Sequence, residues 1–139
     1  MITCTRKIHF DAAHRIRDHE SKCKYLHGHR YVVEATFTSK ALDDKGRVID
    51  FGVIKEVLGA WVDENFDHNA ILSKADQELG DLIESQTQQK IFYLDYHPTA
   101  ENIGKFLFED ICPVLFKDYE IVCTQIKINE TPNCHAQIS

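Results

Sequence analysis

No stretch of this 139-residue chain is apolar for anything near the ~20 residues that a membrane-spanning helix requires, so no such helix is expected. The opening "MITCTRKIHF" lacks the apolar core of a secretory signal. Cysteines number five, an odd count without framework spacing, which excludes a fully paired disulfide scaffold and leads us to expect a reducing cytoplasm. Positive charge is also short. A net charge of −6 with no basic stripe argues against nucleic acid as a partner, although local basic spots could hold a small anionic ligand. No repeat, low-complexity tract or linker divides the chain, and one domain over 1–139 is expected.

What is present is patterned. From Ile2 to Ala12 the even positions include Ile2, Cys4, Ile8, Phe10 and Ala12, the period of two of a half-buried strand, and His14 continues that parity. A second strand follows over 31–37, with Tyr31, Val33, Ala35 and Phe37 inward and His27 and His29 in the same parity. "DDKGRVIDF" reads as a turn and a short third strand, giving a meander. Asp50 precedes a helix whose stripe is Ile54, Val57, Leu58, Trp61 and Val62, ending near Asn65. Thr99 is a natural N-cap for a second helix with Ile103, Phe106, Leu107, Ile111, Val114 and Leu115, in which Pro113 predicts a kink or an early end. A last strand, "EIVCTQIKINE", places Val122, Ile126 and Ile128 on one face with Glu130 next in line. Residues 69–97 are the least legible, with a short helix "ADQELGDLIES" and an extended "KIFYLDY". The element order is that of an α+β domain with antiparallel strands.

The phrase "CKYLHGHRY", residues 23–31, carries the chemistry. His27 and His29 on one strand point to one face, about 7 Å apart along the backbone. His14 on a neighbouring strand can supply a third imidazole, leaving a fourth tetrahedral position open on zinc, the pattern of a catalytic rather than a structural site. Cys23 can be a fourth ligand that closes the site, a thiolate acting beside the metal, or a small buried hydrophobe. The same stretch matches a cupin-type His-x-His-x₄-Glu phrase through Glu34, but Glu34 has the opposite strand parity. Asp67 directly before His68 can orient an imidazole that titrates near neutrality. Glu130, inward on its strand, needs a donor-rich partner if buried, whereas Glu101 is a first-turn acid favoured by the helix dipole.

Taken together, "FDAAHR", "CKYLHGH", "DF" at Asp50, "DHN" at Asp67, "PTAEN" at Thr99 and "ET" at Glu130 resemble the 6-pyruvoyltetrahydropterin and 6-carboxytetrahydropterin synthase family from about Lys7 to Thr131. The resemblance implies the tunnelling fold. That is an antiparallel four-stranded sheet with two helices packed on one face, the sheets joining into a barrel in a homohexamer whose active sites lie between subunits. It implies His14, His27 and His29 as zinc ligands, with Cys23 near the metal and unbound. It further implies Asp67 and His68 as a proton-transfer pair that a neighbouring subunit often contributes, and Thr99, Glu101 and Glu130 as pterin-binding residues. The implied substrate is 7,8-dihydroneopterin triphosphate. The short Cys23 to His27 spacing resembles the bacterial branch that releases acetaldehyde and leaves 6-carboxytetrahydropterin for queuosine. The pyruvoyl branch and a non-catalytic structural zinc module are the alternatives. Arg15, Arg17, Lys22, Lys24 and Arg30 are all candidates for the triphosphate.

Overall fold

Alternation builds the first two strands. In the computed structural model, which describes residues 1–139, β1 (Thr3–His14) buries Ile8, Phe10, Ala12 and His14, and β2 (His27–Thr38) buries Tyr31, Val33, Ala35 and Phe37. They pair antiparallel from Thr3↔Thr38 to His14↔His27, so the two apolar sets share a face. The remaining strands are β3 (Ala70–Ser73), β4 (Ile91–Leu94), β5 (Val122–Thr131) and β6 (Cys134–Ile138). The sheet runs β4-β3-β1-β2-β5-β6. Its β1-β2-β5-β6 portion is the expected four-stranded antiparallel sheet, and β3 and β4 extend it with parallel pairings.

Three sequence expectations are corrected. The third strand of the meander does not form: Asp43 turns its carboxylate onto the N–H groups of Lys45 and Arg47, and Gly46 at φ +80° completes a turn that consumes the backbone donors a strand would have paired. Val122 is exposed rather than inward. The β2–β5 register skips Thr124 between Gln125 and Cys123, and this bulge flips the parity so that Cys123 takes the inward place opposite Phe37. Pro113 does not end its helix early. The preceding turn widens to a π turn, Leu107–Ile111, in which the Cys112 N–H reaches the Leu107 carbonyl, and the helix then continues to Leu115.

Helix α1 (51–65, with a π turn at Lys55–Gly59) and helix α3 (100–115) cover the apolar face of the sheet. Asp50 caps α1 through the Gly52 N–H at 2.7 Å, and Thr99 caps α3 through the Asn102 N–H at 3.1 Å. Ile54, Leu58, Val62, Ile103 and Leu107 are fully buried against Phe10, Tyr31, Ile126 and Ile128. Helix α2 (Gln77–Thr87) packs on β3 and β4. Gly104 faces β6 so closely that an added Cβ would lie 2.3 Å from Ile138 Cδ1 and 3.0 Å from Ile128 Cγ1. Gly104→Ala therefore has to push α3 off β6, and a loss of about 1–3 kcal/mol is expected. A urea midpoint no lower than that of the parent would contradict this.

On β1, β2 and β5 the opposite face of the sheet is polar, whereas over β3 and β4 it is covered by α2, where Gly80 packs against Tyr93 while the adjacent Phe92 turns to the core. Thr5 and Thr36 share a hydrogen bond of 2.7 Å, and Glu34 lies between Lys7 and Lys127 while accepting from Asn129 at 2.8 Å. Glu34 is thus committed on the face away from the histidines, as its parity required.

Candidate metal centre and active site

Where β1 ends and β2 begins, their pairing puts His14 directly across from His27 and Ala12 across from His29. The three rings meet edge to face at centroid separations of 4.7, 4.9 and 5.1 Å, and their ligating atoms lie within 4.8 Å of one another. Tyr31 packs beneath His14 and His29 and stacks on Phe10 at 4.8 Å. His14 is 2% exposed.

Main-chain carbonyls set the tautomers. Pro98 O lies 2.7 Å from His14 Nδ1 and Tyr25 O lies 2.6 Å from His27 Nδ1. A carbonyl only accepts, so both Nδ1 atoms carry the proton and both Nε2 atoms present lone pairs. Those two Nε2 atoms are 3.1 Å apart, and the buried His29 Nε2 beside them has no hydrogen-bond partner. Converging lone pairs repel unless a cation lies between them, and burial, the largest influence, pushes the His14 pKa down to about 4, so a proton is a poor candidate. Burial also lowers the His29 pKa, against the pull of Glu130. The donor set suits a metal ion, and the nitrogen ligands suit zinc.

The depressed His14 pKa makes a test possible on chelated protein. The neutral ring is favoured in the fold, so its stability contribution is complete above the unfolded value of 6.5 and is lost as pH falls toward about 4. Between those limits the metal-free parent should lose about 3 kcal/mol more than His14→Gln, measured as urea midpoints against pH. Parallel slopes would rule out a buried neutral His14.

Cys23 lies in a short 3₁₀ turn, Lys22–Lys24, tied back by the Ile16 N–H to the Cys23 carbonyl at 2.8 Å. It lines a shallow depression with Lys22, Tyr25 and His27, beside the histidines but outside their converging donor set. Asp67 and His68 are brought to each other, with His68 Nδ1 2.9 Å from Asp67 Oδ2. Asp67 Oδ1 also accepts the Asp11 N–H at 2.9 Å, and Asp11 pairs with Arg30. Hydrogen bonding to Asp67 raises the His68 pKa, and the Asp11 and His68 donors lower that of Asp67 despite its burial. His68 sits at φ +59°, held there by its N–H to Asp11 O at 2.6 Å and by Gln89 Nε2 donating to its carbonyl at 3.0 Å. Asp11 and Arg30 point to the polar face of β1 and β2, opposite the buried His14 parity, so within one chain the Asp67–His68 pair and the histidine cluster lie on opposite faces of the sheet.

Thr99, at the start of α3, spends its hydroxyl on the cap, and the adjacent Pro98 carbonyl is the His14 anchor. Glu101 is exposed in the first turn and lines a groove between α3 and β6 with Lys105, His135 and Glu130. Glu130 reaches the histidine cluster, its Oε1 3.5 Å from His29 Nε2. Sequence reasoning missed the main-chain anchors Pro98 and Tyr25 and the Asp11 brace. Carbonyls leave no side-chain signature, and only the neighbouring "PTAEN" phrase marked the first of them.

The family model for 6-pyruvoyl tetrahydropterin synthase matches residues 3–139. A 6-carboxy-5,6,7,8-tetrahydropterin synthase of Rickettsia bellii is 54% identical over 99% of this chain and 100% of its own length, and that of Rickettsia conorii is 50% identical over the same shares. Among solved structures, an uncharacterized protein of Wolinella succinogenes superposes with TM-score 0.82 at 19% identity, covering 99% of this chain and 97% of its own. The 6-pyruvoyl tetrahydropterin synthase of Caenorhabditis elegans gives 0.69 at 22%, covering 99% and 94%. The tunnelling fold is shared with these structures, and the chain belongs to the 6-pyruvoyl tetrahydropterin synthase family.

Proposed function

We propose that this chain is a zinc-dependent 6-carboxy-5,6,7,8-tetrahydropterin synthase, a lyase that takes 7,8-dihydroneopterin triphosphate and water to 6-carboxytetrahydropterin, acetaldehyde and triphosphate on the route to queuosine. The observation that carries this reading is the adjacency of Glu130 to the histidine cluster, 3.5 Å from His29 at the edge of an open groove. One carboxylate can then hold the 2-amino and ring N–H edge of a pterin while the substrate's side chain lies over the metal position. The names of the 50–54% identical relatives support the same branch.

Zinc, when bound by His14, His27 and His29, supplies Lewis acidity at the side-chain oxygens of the substrate and lowers the pKa of the protons beside them. Cys23, as thiolate, accepts a proton from the substrate side chain, from a turn that abuts His27. His68, favoured as imidazolium by Asp67, returns a proton on the other side. Because the pair faces away from its own chain's histidines, it serves the site of a neighbouring copy, in a homohexamer with sites between subunits. Thr99 acts indirectly, fixing the start of α3 and so the Pro98 carbonyl that orients His14, while Glu101 lines the pterin groove. Arg15, Arg17 and Arg30 are engaged by Asp76, the Ala75 carbonyl and Asp11, which leaves Lys22 and Lys24, without ion pairs beside Cys23, for the triphosphate.

Incubation of zinc-loaded protein with 7,8-dihydroneopterin triphosphate is the test. Acetaldehyde and 6-carboxytetrahydropterin in equal amounts are expected. Triphosphate release without acetaldehyde would place the chain in the pyruvoyl branch, and no turnover would refute the enzyme.

A further inference from the structure

Helix α1 ends at Asn65, and its last carbonyls need donors that the helix itself does not supply. Asn69, 8% exposed, supplies them from beyond the helix. Its Nδ2 donates to Asn65 O at 2.9 Å and reaches Glu64 O at 3.4 Å. Its main chain is anchored as well, the N–H donating to Phe66 O at 3.1 Å and the carbonyl accepting from the Ala13 N–H at 3.1 Å, one residue before His14. Between these anchors and α1 lies His68, in a left-handed backbone at φ +59° that its β-carbon opposes. Glycine is the usual occupant where a chain leaves a helix in this conformation. A histidine persists there only where its surroundings overdetermine the backbone. Gln89 donates to the His68 carbonyl from an exposed position, where water competes for the bond. The Asn69 carboxamide, by contrast, is sealed.

We infer that Asn69 is a positioning residue for the Asp67–His68 pair: its carboxamide, tied to the end of α1, fixes the left-handed turn at His68 and so sets the His68 Nδ1 on Asp67, 2.9 Å away. In a regular helix or strand, side chains of adjacent residues diverge. With the turn fixed, one Asp67 oxygen meets His68 while the other accepts the Asp11 N–H at 2.9 Å. The hydrogen bond to Asp67 is the largest influence raising the His68 pKa, Asp11 adds to it, and Arg30 opposes it. Release of the turn removes the largest of these. Asn69 spends its donors on α1 and acts through His68. Its effect on turnover rests on the proton transfer proposed for His68, whereas its effect on the His68 ring does not.

The experiment follows the His68 ring by NMR in zinc-loaded protein carrying labelled histidine, with His68→Gln identifying the signal, for the parent, Asn69→Leu and Asn69→Ala. Both variants lack the donor, and they differ in size. In either one that folds, the His68 pKa is expected to fall from its raised value toward the ordinary 6.5, and kcat to drop about 10²-fold with KM and zinc content unchanged. In a His68→Gln background the same substitution should cost no further activity, since the group it positions is gone. An unchanged His68 pKa in a folded variant, or a full further loss in the His68→Gln background, overturns the inference. A parent without turnover refutes the proposed reaction and leaves the His68 titration to decide the role of Asn69. In the parent, the Asn69 carboxamide protons should exchange with water more slowly than those of exposed Asn133. Equal rates would overturn the inference whether or not either variant folds.

Discussion

Cys23→Ala is expected to lower kcat by about 10²–10⁴-fold while leaving one metal ion per chain. Cys23 abuts His27 but is absent from the donor atoms that converge on one point, and those of His14, His27 and His29 are already oriented by main-chain carbonyls or packing. On the proposed mechanism, removing the thiol takes away a proton acceptor and none of the three converging imidazoles. The residue is half-buried in a short turn, so the change in unfolding free energy should stay within about 1 kcal/mol. Metal analysis alongside single-turnover kinetics separates the possibilities. Loss of metal together with activity would make Cys23 a fourth ligand and the site a closed structural one. Retained metal with full activity would remove Cys23 from the chemistry altogether.

The second large effect concerns stability. Asp76, 4% exposed ahead of α2, is held by Arg15, whose Nε donates to Oδ2 at 2.5 Å while Nη2 pairs with Oδ1. Arg15 itself is 30% exposed. The two ends of this pair are therefore unequal. Arg15→Met leaves a carboxylate sealed from water, and a loss of about 3–5 kcal/mol is expected. Asp76→Ala leaves a guanidinium that can turn toward solvent, at roughly half that cost. The double variant should be more stable than Arg15→Met alone, since the unpaired charge is gone. Urea midpoints for the three proteins test this, and an Asp76→Ala loss equal to or larger than that of Arg15→Met would sink the argument. The effect should reach the active site too. Arg17 donates to the Ala75 carbonyl at 2.8 Å, so the segment before α2 is bolted to the loop that runs from His14 to Cys23.

Legibility in the sequence followed the length and regularity of each pattern. The two long strands and both sheet-covering helices announced themselves because their apolar periods run for several repeats, and the three histidines inherited their faces from those periods. β3, with four residues all buried, has no polar partner set to alternate with, and β6 follows β5 after a turn too short to mark a new pattern. Val122 was misplaced because one skipped residue, Thr124, reverses parity without leaving a sign in composition. The short strand read within "DDKGRVIDF" failed for a local reason, the Asp43 side chain competing for the backbone. Among site residues, Glu130 was traceable through strand parity and the resemblance, whereas the Asp67–His68 contact needed a left-handed backbone at His68 that no pattern foretold.

The anchoring of His14 and His27 on peptide carbonyls has a consequence for mutation. Outer partners of metal ligands are often carboxylate side chains, and a single codon change can delete such a partner. Here Pro98 and Tyr25 contribute only oxygen atoms that every residue possesses. Replacement of either side chain leaves the acceptor in the gene product, and only a displacement of the chain itself, at the entrance to α3 or after the Cys23 turn, can take it away. Drift at these two positions is thereby buffered at the level of the genetic code, while insertions and deletions near them are not.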